Sequence, residues 1–271
     1  MTAANAAISG AFDFFFAPFA AKPWLAITVA SLGTSLLALL VFRYTSDQRR
    51  LRAVKDGIVA SLLELYLFRD EPTAILRAQG RLFVGSLCYL AHALVPLTVM
   101  FVPIAVVLVQ TDLHYGHRPL KVGERAVIAV KLRQGLVSPD AVTLSATPGL
   151  RVETPALRIP SLRELDWRVR AITPGRQQVR VKVGSRALGK LVLVGEMGGG
   201  VSVRRTRGGL QSFLHPGECP LAAGAPIEWI QVAYPEERLS LFGRKVAWVW
   251  PWLALSMIFA QAFKRPLQVQ V

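Results

Sequence analysis

The sequence predicts an α-helical membrane protein. It has three transmembrane helices, a cytoplasmic helical hairpin between the first two, and an extracytoplasmic all-β domain between the second and third. Three observations carry this prediction. Three apolar runs hold no formal charge: Trp24–Phe42 (19 residues), Leu82–Val109 (28 residues) and Val246–Phe263 (18 residues). Basic residues crowd the chain just after the first run. Beyond residue 124 the apolar pattern changes from the period of a helix to that of a strand. The chain accordingly divides into 1–43, 44–81, 82–110, 111–243 and 244–271.

Each apolar run is long enough for a hydrocarbon core of roughly 30 Å. The composition agrees: of 271 residues, 52% are hydrophobic and only 18% charged, too apolar for an ordinary soluble domain. The first run is not a cleavable signal, because residues 1–21 carry no positive charge and the run has full spanning length. Before it, "FDFFFAPF" (Phe12–Phe19) reads as an interfacial segment whose rings suit the headgroup boundary, with Pro18 breaking it from the span.

Short loops rich in Lys and Arg remain cytoplasmic. Arg43, Arg49, Arg50, Arg52 and Lys55 follow the first span, and only Lys22 precedes it. This puts the N-terminus outside, residues 43–81 inside, the long region 111–245 outside and the C-terminus inside a cell membrane, the inner one if the cell is bacterial. The net charge of +15 then speaks of topology and anionic lipid. No zinc-finger, RNA-binding or basic-helix spacing points to nucleic acid. Cys88 lies in the second run and Cys219 in the polar region, so no disulfide framework is implied.

Between residues 44 and 81 two helices are expected. Leu51, Val54, Ile58, Leu62 and Leu65 recur at spacings of three and four. Ser46 or Asp47 can cap the start, and Pro72 suits the first turn of a second helix running into the second span. One amphipathic stripe fits either a hairpin or a linker lying on the membrane surface.

The strands expected outside are "RAVIAVKL" (125–132), "AVTLSA" (141–146), "LDWRVRAI" (165–172), "QQVRVKV" (177–183) and "KLVLVG" (190–195), with weaker ones at 201–207 and 227–233. "SPD", two "TPG" turns and "VGS" separate them. Short strands at this spacing imply an immunoglobulin-like sandwich in architecture, without the Cys–Trp–Cys core.

The second run carries Pro96 and Pro103, seven residues apart and so on one helix face, each freeing a carbonyl four residues back, at His92 and Val99. At ~1.5 Å per residue the run is roughly 42 Å long, so it must tilt, kink or project. It breaks into "DLHYGHRP". Asp112, His114 and His117 are candidate metal ligands, but His-x-x-His with one carboxylate lacks helix-borne spacing, and the segment reads as an interfacial turn. No phosphate-binding loop, nucleophile elbow or paired-carboxylate motif is present, so neither an enzyme nor a cofactor is expected.

"FDFFFAPFAAKPWLAITVASLGTSLLALLVFRYTSDQRRLRAVKDGI" and "HALVPLTVMFVPIAVVL" resemble the small three-span branch of the YidC/Oxa insertase superfamily, its archaeal and endoplasmic-reticulum members, with an inserted extracytoplasmic β domain. The hairpin is short for that family. The resemblance implies a hydrophilic intramembrane groove that accepts polar segments of substrate membrane proteins. Residues available to line it are Thr28, Ser31, Thr34, Ser35 and Arg43 of the first span, His92 and Thr98 of the second, and Ser256 and Gln261 of the third. The same small polar residues also mark close helix packing. Three functions follow as expectations. One is an insertase working among membrane lipids and other membrane proteins. Another is a non-catalytic scaffold subunit docking partners through its β domain. The third is an interfacial metal or lipid-processing enzyme built on His114 and His117.

Overall fold

The computed structural model describes residues 2–19, 22–45, 48–67, 72–134, 141–195, 199–241 and 243–267. They form two compact units. One joins residues 1–27 to 108–250; the other joins 28–107 to 251–271.

The helical unit is built on α2 (Pro23–Thr45), α3 (Gln48–Leu67) and α4 (Pro72–Tyr115). Prolines open α2 and α4, where a missing N–H costs nothing. The capping candidates Ser46 and Asp47 and the turn 68–71 lie outside the described residues. Helices α3 and α4 pair where Arg81 Nη2 meets Glu64 Oε1 and Oε2 at 2.5 and 2.6 Å. The approach is close because residue 85 is glycine: a Cβ there would lie 3.2 Å from Ile58 Cγ1. The inward face of α3 carries Val54, Ile58, Ser61 and Leu65, while Leu62, expected on that face, is exposed. The described part of α3 therefore has apolar side chains on its outer face as well, Val59 and Tyr66 among them.

Helix α4 continues unbroken through Pro96 and Pro103. Pro96 is buried and Pro103 half-buried, so both rings sit on the inward stripe, as their seven-residue spacing requires. At ~1.5 Å per residue its 44 residues extend about 66 Å, twice a hydrocarbon core. By length and composition α2 and the stretch Ile75–Tyr115 of α4 can each cross a membrane. The third expected span differs. The apolar helix near the C-terminus, α6 (Val249–Phe263), has 15 residues, about 22 Å, short of a full crossing. Its expected first residues, Val246 and Ala247, belong instead to a β-hairpin.

The other unit opens with α1 (Thr2–Phe16) and one 3₁₀ turn, Ala17–Phe19. Its β domain has eleven described strands: β1 (Arg125–Leu132), β2 (Val142–Ala146), β3 (Leu150–Val152), β4 (Leu157–Ile159), β5 (Glu164–Ala171), β6 (Gly175–Val183), β7 (Arg186–Val194), β8 (Arg204–Thr206), β9 (Ile227–Val232), β10 (Arg238–Leu241) and β11 (Arg244–Ala247). Every pairing between strands is antiparallel. The larger sheet runs β3-β5-β1-β9-β8, with β4 sharing the β5 edge; the smaller runs β2-β6-β7. A short helix, α5 (Leu210–Leu214), follows β8.

Alternation decides the core. Ala126, Ile128, Val130 and Leu132 of β1 point inward with Leu165, Trp167, Val169 and Ala171 of β5, and Val179, Val181 and Val183 of β6 complete one shared cluster. A one-residue slip would turn every one of these side chains to solvent. Each fully buried Val or Ile stabilises the fold by about 1.5–3 kcal/mol.

Candidate functional site

Two of the polar residues expected on the first span, Ser31 and Ser35, fall on a helix seam. Ser31 and Ser35 are almost fully buried. Ser31 Oγ donates to Trp252 O of α6 at 3.2 Å. Ser35 Oγ–H is shared between Ser256 O of α6 (2.8 Å) and Ser31 O (2.7 Å). Both inter-helix pairs are 221 residues apart, so α2 and α6 run in the same direction, in register over one turn. The hydroxyls spend their protons on backbone carbonyls, which is how small polar residues tie helices together in an apolar medium.

Thr34 is buried and bonds Ala30 O of its own helix at 2.7 Å. Thr28 is half-buried. Arg43 Nη1 donates to Leu267 O at 3.2 Å on an exposed surface. Ser256 is half-buried with its hydroxyl unpartnered among the described residues, and Gln261 is exposed. His92 and Thr98 lie exposed on α4 and turn back on their own helix, His92 Nδ1 to Cys88 O at 2.7 Å and Thr98 Oγ1 to Leu94 O at 2.8 Å. Ser31, Ser35 and the Ser256 backbone thus come together, while His92, Thr98 and Gln261 do not join them.

The three metal candidates also part company. His114, with a side chain 7% exposed, bonds Asp13 Oδ1 through Nε2 and Gln110 O through Nδ1, each at 2.8 Å. Asp112 Oδ1 accepts from Trp248 Nε1 at 3.2 Å. His117 forms a β-bridge with Glu236, and its Nδ1 is buried without a partner among the described residues. No three His, Cys, Asp or Glu side chains group as a ligand set among the described residues.

Asp13 belongs to a polar stripe that the sequence reading passed over. Asn5, Ser9 and Asp13 recur every fourth residue of α1, reaching Ser212 O, the Gln110 side chain and His114. Phe16 continues the stripe, its ring 5.0 Å from that of His114 and 5.3 Å from that of Tyr115. The spacing of polar groups within an otherwise apolar N-terminus was the available signal. It makes residues 2–16 a helix docked on the end of α4.

A second missed feature closes the outer edge of β7. Leu191 N donates to Glu218 Oε2 at 3.2 Å, and Leu193 N to Tyr234 Oη at 2.9 Å. Arg205 donates to Gly189 O. Leu120 exchanges hydrogen bonds with Leu193 O (3.1 Å) and Gly195 N (2.8 Å). Lys190, wholly buried, pairs with Glu218 and donates to Ser202 O at 2.6 Å. Burial lowers the Lys190 pKa, against the attraction of Glu218. An edge so capped offers no ladder to an added strand.

No protein-family model, no characterised protein and no solved structure matches this chain.

Proposed function

We propose that the chain is a membrane-anchored, non-catalytic scaffold subunit of a cell-envelope complex, with its helices holding it in the bilayer and its β domain docking a partner outside. The observation that carries this reading is the seam. Ser31 and Ser35 are consumed in α2–α6 packing, and the polar residues of α4 stand on its exposed surface among Leu90, Leu94 and Leu97. The insertase reading needs all of these on one wall. The proposed orientation has the N-terminus and β domain outside and the C-terminus inside, supported by the basic cluster 43–55. The β domain is proposed to be an immunoglobulin-like sandwich. Its strands β1, β2, β3, β5, β6 and β7 pair in the pattern of strands B to G of that fold, and β9 takes the place beside β1 that strand A would occupy.

Photocrosslinkers at Leu90 and Leu97, in intact cells, test this. A scaffold yields one or a few discrete adducts with membrane proteins. A heterogeneous spread of nascent chains, captured equally from Ser31 and His92, would overturn the scaffold reading in favour of the insertase.

A further inference from the structure

Carboxylates are distributed unequally over the two sheets of the β domain. On the larger sheet two glutamates pair with four cations. Glu153 pairs with Arg125 (3.1 Å), Arg168 (3.3 Å) and Arg170 (2.6 Å), and Glu164 with Lys131 (4.0 Å). The strands of the smaller sheet carry no carboxylate. Arg176, Arg180 and Lys182 project from the solvent side of the central strand β6, all exposed, with no ion pair among the described residues. The cross-strand neighbours of Arg180 and Lys182 are small, while Arg176 stands beside Leu193. Ser145 and Thr143 of β2 face Arg180 and Lys182, and Gly189 and Ala187 of β7 face the same two from the other side.

Arg180 is also held in place. Gly189 has no side chain, and a Cβ there would lie 2.6 Å from Gln178 Nε2, so the Gln178 amide lies across the glycine. From that position Gln178 Oε1 accepts the Arg180 Nε–H at 3.1 Å. The two terminal nitrogens of the guanidinium remain for a ligand, in the planar fork that suits a carboxylate.

We infer that the outer face of the β2-β6-β7 sheet, centred on Arg180 and Lys182, docks an extended acidic segment of a partner protein. The occupant follows from charge complementarity and period. Same-face residues on β6 are spaced at ~6.8 Å, the spacing at which an extended chain presents alternate side chains. A strand of alternating Asp or Glu laid along β6 sets its carboxylates over Arg180, Lys182 and, ~13.6 Å from Arg180, over Arg176. Strand addition at β7 is not the mode, because the outer edge of that strand is capped by Glu218, Tyr234 and Leu120. This inference rests on the scaffold reading and names the chemistry of its partner.

The test uses the purified full-length chain in a neutral detergent and a fluorescein-labelled peptide of alternating Ser and Glu, read by anisotropy at low and high salt. Binding is expected at low salt and weakens at high salt. Arg180→Glu with Lys182→Glu should weaken it about tenfold or more, and Arg180→Gln with Lys182→Gln by less. Arg244→Glu with Lys245→Glu, on the separate β10–β11 hairpin, should change it less than twofold; unchanged melting confirms that the variants are folded. The inference is overturned by failure of the peptide to bind, or by equal loss in both charge-reversal pairs, which would mean a response to net charge alone. It is also overturned if anionic vesicles or a sulfated polysaccharide bind this face while the peptide does not. None of these outcomes touches the crosslinking result from α4, so acidic docking can fail while the scaffold reading stands.

Discussion

Glu124 illustrates how a single side chain organises the entry to the β domain. Arg118 meets both its oxygens at 2.8 Å, and Lys121 N donates to Oε2 at 2.8 Å. The hydrogen bond from Arg118 is the chief reason its carboxyl is held down at about 2, against an ordinary value of 4.5. A depressed carboxyl contributes stability that is fully present above its unfolded pKa and is lost as pH falls toward the folded one. The window is therefore pH 4.5 down to about 2. Glu124→Gln should melt lower than the wild type at pH 7, and the gap should close progressively as the pH drops through that window. A constant gap from pH 7 to pH 2 in thermal melts would mean that the ionised carboxylate is not what Arg118 and Lys121 N recognise. The residue types, the Arg-x₅-Glu spacing and the turn residues Gly116 and Pro119 are visible in the sequence, but the spacing alone does not indicate that the turn brings the two side chains together.

At the scale of elements, alternation placed the longer strands, while apolar length marked two helices long enough to cross a membrane and overshot at the third run. The strands Arg125–Leu132, Glu164–Ala171 and Gly175–Val183 form because alternation of apolar and polar residues matches the pleat. Strands β3 and β4 have three residues each, too few for alternation to register. The run Val246–Phe263 read as a span because charge-free length was counted, yet its first two residues pair with Leu239 and Arg238. The seam between α2 and α6 also belongs to this scale. Ser31→Leu and Ser35→Leu each insert a branched side chain where a hydroxyl meets a backbone carbonyl, and overpacking of this kind costs about 1–3 kcal/mol. Both variants should lower the thermal midpoint in detergent and reduce expression. A folded protein of unchanged midpoint, with substrate handling impaired, would instead favour a groove.

For the whole molecule, two helices long and apolar enough to cross a membrane accompany an antiparallel β domain. The proposed orientation is open to direct test because both cysteines are free and exposed, Cys88 on α4 and Cys219 in the β domain. A membrane-impermeant maleimide applied to intact cells should label Cys219 and leave Cys88 unmodified. Labelling of Cys219 only after permeabilisation would reverse the topology. With the charge rule resting on residues 43–55 and the β domain itself basic, this measurement separates the two orientations without any mutation.

Composition and period were enough to reveal the apolar helices, the basic cluster and most strands, because burial by lipid or by a sheet imposes a repeat on neighbouring residues. What only the tertiary structure decided were the partners. The pairing of β1 with β9, the Asp13–His114 bond across 101 residues and the Ser31–Trp252 bond across 221 join segments whose local patterns do not mention each other. The candidate groove residues were legible as polar groups in apolar helices. Whether such a group lines a cavity or closes a seam depends on which backbone carbonyl lies opposite. That is set by the packing of distant elements, since an unpaired hydroxyl in an apolar medium takes whatever acceptor the fold supplies.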